Sequence, residues 1–264
     1  NYALISSMSF RRSIAQICFF VSGLGAALLF GGVELWAQGV LALLLGIACV
    51  LEASADERLV SRLSPRVLIL AGSLLCFLAI TLCPWPSEWA NWLAPGQAHL
   101  LAEMKGAMPN TLHGSMATEA TWHALFKLLG AASVIYLTWS WSADREFRQR
   151  LFVFIIGLGA VLSCLALIDW MDGSDRIYGF RATANSNHCG PFSNRNHFSN
   201  YANMCAIFGL GIFIRHCFPK KNQAANFRFG IMALAGGSLC AATSIPTASR
   251  GGLLSLGAGI LTFT

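Results

Sequence analysis

Arginine and asparagine gather at two places in a sequence that is otherwise greasy. The first is GPFSNRNHFSNY, Gly190 to Tyr201, which sets Asn194, Arg195, Asn196 and His197 directly ahead of an apolar run. The second is SIPTASRGG, Ser244 to Gly252, where Ser249 and Arg250 stand before two glycines. Upstream of the first, Arg176 and Arg181 lie in a polar stretch rich in Asn, Ser and Gly. A guanidinium is a planar fork of N–H donors that meets phosphate oxygens two at a time. Arginines gathered at a membrane surface therefore suit an anionic, phosphate-bearing headgroup, although any one of them reads equally well as a solvated turn residue. Arg250 has a further argument, because a helix is expected from about Gly251 and a helix start offers unpaired N–H groups and partial positive charge. Gly251 and Gly252 would let a phosphate approach the backbone closely. The plainer reading of Arg250 is an interfacial arginine that snorkels toward water.

The elements that must hold these residues are membrane helices. Of 264 residues, 55% are hydrophobic and 11% charged, with a mean hydropathy of +0.58, which marks an integral membrane protein. Apolar runs at Ser13 to Phe30, Leu35 to Leu51, Val67 to Cys83, Leu151 to Ile168 and Phe229 to Pro246 approach the ~20 residues of a spanning helix. Ala124 to Ser142, Asn200 to Ile214 and Leu253 onward are read as three more. The fold class is all-α, a polytopic transmembrane bundle of about eight spans, with residues 1–264 in one membrane domain. An inside N-terminus puts twelve of the 18 Lys and Arg in one set of loops, including Arg11, Arg12, Arg145, Arg148, Arg150, Arg215 and Arg228. That bias predicts a cytoplasmic N-terminus and places Gly190 to Tyr201 outside.

The formal charge of +6 is thereby a topology signal, and no nucleic-acid partner is read from it. Most of the nine cysteines fall inside apolar runs, where a thiol acts as a small hydrophobe; a bridge between Cys83 and Cys189 stays open. His188, Cys189 and His197 lack the short paired spacing of zinc ligands, so no metal site is assigned. No phosphate-cradling or nucleophile-elbow motif occurs. Glycine pairs within the apolar runs, such as Gly157 with Gly159 and Gly209 with Gly211, read as helix-packing positions. Trp85, Trp89, Trp92 and Trp122 in the first long outer loop, Pro84 to Trp122, suit an interfacial belt. Arg11 and Arg12 ahead of the first run read as the flank of an uncleaved first helix. Asn at position 1 and an apolar run that stops at Thr264 read as the N-terminal part of a longer protein, truncated at its C-terminus.

GPFSNRNHFSNY ahead of a span, TASRGG opening a later one, DRIYGF upstream and FGGVELWA after the first helix together resemble the O-antigen ligase family. That family comprises polytopic glycosyltransferases of the bacterial inner membrane, and includes O-antigen polymerases and protein O-oligosaccharyltransferases. The likeness runs through nearly the whole chain, carried by G-P-F-x-N-R-N-H-F and S-R-G-G. It implies transfer of a preassembled glycan from undecaprenyl diphosphate to an acceptor hydroxyl at the periplasmic face, without metal, nucleotide or other cofactor. In the ligases proper the acceptor is the lipid A core. Polymerase and protein glycosyltransferase are the alternatives, and a lipid or anion transporter is a more distant one.

By the same likeness Arg250 is implied to contact the diphosphate, with Arg195, Arg181 and Arg176 as further candidates. Asn194, Asn196, His197 and Ser249 are supporting polar residues. The histidine implicated in the family lies in a large periplasmic loop farther along, beyond Thr264, so the catalytic residue is unassigned. His197 reads as a hydrogen-bonded loop histidine, and Asp172 and Asp175 as turn caps.

Overall fold

The computed structural model describes residues 2–29, 34–55, 65–103, 111–115, 117–173, 176–177, 181–182, 189–192, 194–219, 225–247 and 249–262. Asp175, His188 and the segments 30–33 and 178–180 named above lie outside the described residues, as do the loop residues Arg58, Arg62, Lys105, Lys220 and Lys221. The chain is mostly helical, and each of the eight expected apolar stretches is a helix: α1 (Tyr2–Leu28), α2 (Leu35–Ala55), α3 (Pro65–Leu82), α6 (Thr118–Trp141), α7 (Arg145–Asp172), α8 (Arg195–Cys217), α9 (Phe227–Thr243) and α10 (Arg250–Leu261). Of these α2, α6 and α7 are long and apolar enough to cross a membrane, and Gly72–Leu82, α9 and α10 are shorter apolar helices.

The long loop from Pro84 to Trp122 is folded over much of its length. It carries α4 (Ser87–Leu93) and α5 (Pro95–Glu103) between two short antiparallel strands, β1 (Pro84–Pro86) and β2 (Thr111–His113). A second ribbon pairs β3 (Arg176–Ile177) with β4 (Arg181–Ala182). These two ribbons depart from the all-helical expectation, and both lie in polar stretches where backbone groups pair locally because no helix takes them up.

Two compact units make up the chain, residues 1–19 with 35–140 and residues 20–34 with 141–264, and α1 contributes to both. In the first unit α2 and α6 run parallel. Gln38 Oε1 meets His123 Nδ1 at 2.8 Å near their starts, and Ser140 Oγ donates to Glu52 Oε1 at 2.7 Å near their ends. Glu52 is 2% exposed and Arg12 Nη2 lies 3.7 Å from the same carboxylate oxygen, so the charge is buried only in company. The side chains of α3 stand largely exposed, Ile69, Leu70 and Phe77 among them, as suits a helix whose solvent is lipid. Trp89, Trp92 and Trp122 are exposed, whereas Trp85 is half-buried.

In the second unit α7 begins with Asp144 accepting from the N–H groups of Glu146 and Phe147, and ends at Gly173, whose φ of 63° closes the helix with the left-handed turn glycine takes freely. The cap is thus Gly173, with Asp172 as the exposed last helical residue. Helix α8 runs antiparallel to α7, with Gly159 against Cys205 and Phe152 against Phe208. It is also antiparallel to α9, where Gly209 meets Ala233 and Gly237. Added Cβ atoms at Gly159 or Gly209 would collide with those neighbours, whereas one at Gly157 would meet nothing. Residues two apart project about 200° apart on a helix, so only one glycine of such a pair faces the partner. Phe198, Leu162, Cys205 and Cys240 are fully buried at this seam, and Phe20 and Ala27 of α1 pack on the same unit.

Candidate functional site

The GPFSNRNHF stretch resolves into alternating scaffold and display. Gly190 takes a φ of 54°, and Cys189 and Phe192 exchange backbone hydrogen bonds at 3.2 and 3.3 Å, closing a tight turn around Gly190 and Pro191. A Cβ on Gly190 would press on Ala166, so both conformation and space ask for glycine. Phe192 then packs on Phe198 and Tyr201 at ring separations of 5.7 and 5.9 Å. That aromatic clasp fixes how the chain enters α8, in the manner of a hydrophobic staple. Asn194 is the N-cap, its side chain accepting from the N–H of Asn196 at 2.9 Å. What remains displayed is Arg195, half-buried, and Asn196 and His197, both exposed on the first turn of α8.

The second motif is built the same way. Ser249 is buried and caps α10, accepting from the N–H of Gly252 at 3.1 Å, while Arg250 is the exposed first residue of the helix. The helix therefore begins one residue earlier than the expected Gly251. Gly251 has open space where a Cβ would sit. Gly252 does not: a Cβ there would overlap Ser199 of α8. The role read for Gly252, close approach of a ligand, is thus corrected to close approach of a helix, because its open side is taken up by Ser199.

That contact puts the two motifs together. Ser199 meets Gly252, Asn203 meets Gly252 and Ser255, and Ile207 meets Gly259, so α8 and α10 run parallel with their starts at one end. Asn203 Nδ2 donates to the Gly252 carbonyl at 2.6 Å and to Ser255 Oγ at 2.9 Å, and its Oδ1 accepts from Ser244 Oγ at 2.7 Å. Asn203 is 3% exposed, and among apolar helices such a group is tolerable only when satisfied. The network ties α8, the turn after α9 and the start of α10 into one piece. Two N-termini side by side, each headed by an arginine, add their partial positive charges. The electrostatics of the assembly favour an anion.

Arg176 is exposed, and the ribbon's register sets it opposite Ala182 and sets Arg181 opposite Ile177. Arg195 and Arg250 are the arginines that stand at the two adjacent helix starts. Cys83 and Cys189 are free thiols. The Cys189 thiol is nearly buried, and that burial, aided by the carboxylate of Asp169, pushes its pKa up to about 11. Among the described residues no three His, Cys, Asp or Glu side chains converge.

Sequence reasoning passed over Asn203, Ser199 and Ser244, and over the Arg12, Glu52 and Ser140 cluster. The signal for Asn203 was a second polar residue one turn after Ser199 inside an apolar run. Its partners are 41 to 52 residues away, which no local pattern specifies. No family model, curated protein or solved structure matches the chain.

Proposed function

We propose that this chain belongs to a membrane glycosyltransferase that moves a glycan from undecaprenyl diphosphate to an acceptor hydroxyl at the outer face of the bacterial inner membrane. The observation that carries the reading is the parallel packing of α8 and α10 at their first turns, which sets Arg195 and Arg250 at adjacent capped helix starts. The segregation of basic residues within the second unit agrees with it. Arg145, Arg148 and Arg150 begin α7, Arg215 ends α8 and Arg228 begins α9, at the end opposite Arg195 and Arg250. With that opposite end in the cytoplasm, the arrangement of α7 to α10 agrees with an inside N-terminus.

In the reaction the acceptor oxygen bonds to the anomeric carbon as the bond from that carbon to the diphosphate breaks. The leaving diphosphate takes the electron pair, and the acceptor's proton passes to a base that is unassigned on this chain. Negative charge on the diphosphate grows toward the transition state, so cations held in place beforehand lower the barrier more than they tighten the ground state. The Asn203 network holds the helices that carry them.

The test is a deletion strain complemented with the intact gene or with Arg250→Ala, read by the lipopolysaccharide ladder, the exopolysaccharide and the glycoproteins. The product lost in the deletion names the acceptor. Failure of Arg250→Ala to restore it supports the proposal, and full restoration sinks it. Labelling single cysteines at positions 195 and 250 with a membrane-impermeant maleimide must succeed from the periplasmic side.

A further inference from the structure

At the other end of the second unit a cavity of about 510 Å³ is lined by Arg145, Arg148, Gln149, Arg215, His216 and Phe229 among others. Arg145 and Arg148 are one turn apart at the start of α7 and so share a helix face. Arg215 and His216 come from the last turn of α8, which antiparallel packing brings alongside. The acids nearby are engaged elsewhere: Glu146 pairs with Arg150 at 2.9 Å, and Asp144 caps α7. Among the described residues none of Arg145, Arg148 and Arg215 has a carboxylate partner. Arg148 gives one N–H to the Ser142 carbonyl, which orients its fork without neutralising it. His216 stacks edge-on against Phe229 at 4.8 Å, and its pKa is lowered by burial and then by Arg215 and Arg145. Three guanidiniums lining one pocket with no carboxylate partner among the described residues suit an anion.

A second cavity of about 550 Å³ adjoins the first and shares Phe152, Ile212 and Arg215 with it. It runs along α8 from Arg215 back past Phe208, Ile207 and Met204 toward Asn200, and its middle is almost wholly apolar. Arg215 thus stands where an apolar groove meets a basic pocket. A free phosphate would use only the pocket, and a neutral lipid only the groove. A molecule with a phosphate at one end and a hydrocarbon chain attached uses both.

We infer that this end of the unit is a binding site for an anionic phospholipid, its phosphodiester held by Arg145, Arg148 and Arg215 and an acyl chain laid in the groove beside Met204 and Phe208. The headgroup pocket lies at the end opposite Arg195 and Arg250, while the groove reaches as far as Asn200, Asn203 and Ser255. Basic pockets between helices on the cytoplasmic side are suited to such headgroups.

Native mass spectrometry of the full chain released from micelles, titrated with dioleoyl phosphatidylglycerol or dioleoyl phosphatidylcholine, tests this. The anionic lipid is expected to be retained in preference. The double variant Arg148→Gln/Arg215→Gln should lose about thirty-fold in its affinity, which is about 2 kcal/mol. Met204→Trp, which fills the groove and leaves every arginine in place, should also weaken retention. Arg250→Ala should leave it unchanged, so that failure here and failure of the transfer reading are told apart. Equal retention of the two lipids, or unchanged retention in the double variant, overturns the inference. Displacement of the lipid by millimolar inorganic phosphate overturns it too, because the pocket would then take a free anion.

Discussion

Asn203 in the third turn of α8 donates to the backbone carbonyl of Gly252 in the first turn of α10 at 2.6 Å. One buried amide thus joins the two polar motifs of the chain, which are separated in sequence by an entire helical hairpin. Its other contacts reach Ser255 and Ser244, so it uses both ends of its side chain. The placement of the α8 start beside the α10 start depends on this joint.

Replacing Asn203 with Val should destabilise the chain by about 1–3 kcal/mol, because Ser244 and the Gly252 carbonyl lose a buried partner. Double-mutant measurements in membrane proteins put single polar contacts nearer ~0.6 kcal/mol, so Ser244→Ala alone should cost distinctly less. Thermal unfolding in detergent reads both. An Asn203→Val protein as stable as the parent would show that the network holds nothing.

Gly252→Ala should wedge α8 from α10, since its methyl would overlap Ser199. Overpacking of this kind costs roughly 1–3 kcal/mol. Adding Ser199→Ala removes the hydroxyl but leaves its Cβ within 2.9 Å of the new methyl, so rescue should be partial. Gly251→Ala, pointing into open space, should be nearly silent in the same melt. If the two alanines behaved alike, the packing role of Gly252 would be wrong.

Under the proposed transfer reaction, Arg250→Ala should slow glycan transfer about 10²–10³-fold, the range for loss of one preorganised donor to a developing charge. Arg250→Lys should recover only part, because an ammonium keeps the charge but not the bidentate fork. Arg195→Ala should fall between, since Arg250 remains at the neighbouring helix start. Rate measured against donor concentration separates a lower kcat from a raised KM, and a pure KM effect would argue for ground-state binding only.

Cys189 should alkylate slowly at pH 8, where a thiol of pKa about 11 is about one-thousandth thiolate. The rate of iodoacetamide modification, followed by peptide mass spectrometry, should climb about tenfold per pH unit and level off only near pH 11. Asp169→Asn should move that plateau to lower pH by removing the second cause of the shift. The sign for stability follows from a folded pKa raised above the ordinary 9.0. The contribution is full below about pH 9 and is lost as pH rises toward 11. A plateau already at pH 9 would mean that the thiol is not buried.

Hydropathy alone determined where the main helices lie, since each expected apolar stretch is a helix. The caps were equally legible, since Asn194 and Ser249 are short polar residues standing directly before helices. Tertiary structure decided which helix starts adjoin. Arg176 and Arg181 are close in sequence to Arg195, yet it is Arg250, 55 residues away, whose helix start lies beside it. It decided that Gly252 faces Ser199 while Gly251 faces open space, and that Arg145, Arg148 and Arg215 enclose a pocket rather than only marking a side of the membrane. The physical reason is common to all of these. Hydropathy and capping act over one turn and are written in adjacent residues, whereas helix pairing is set by steric fit and buried hydrogen bonds between positions that no local pattern connects.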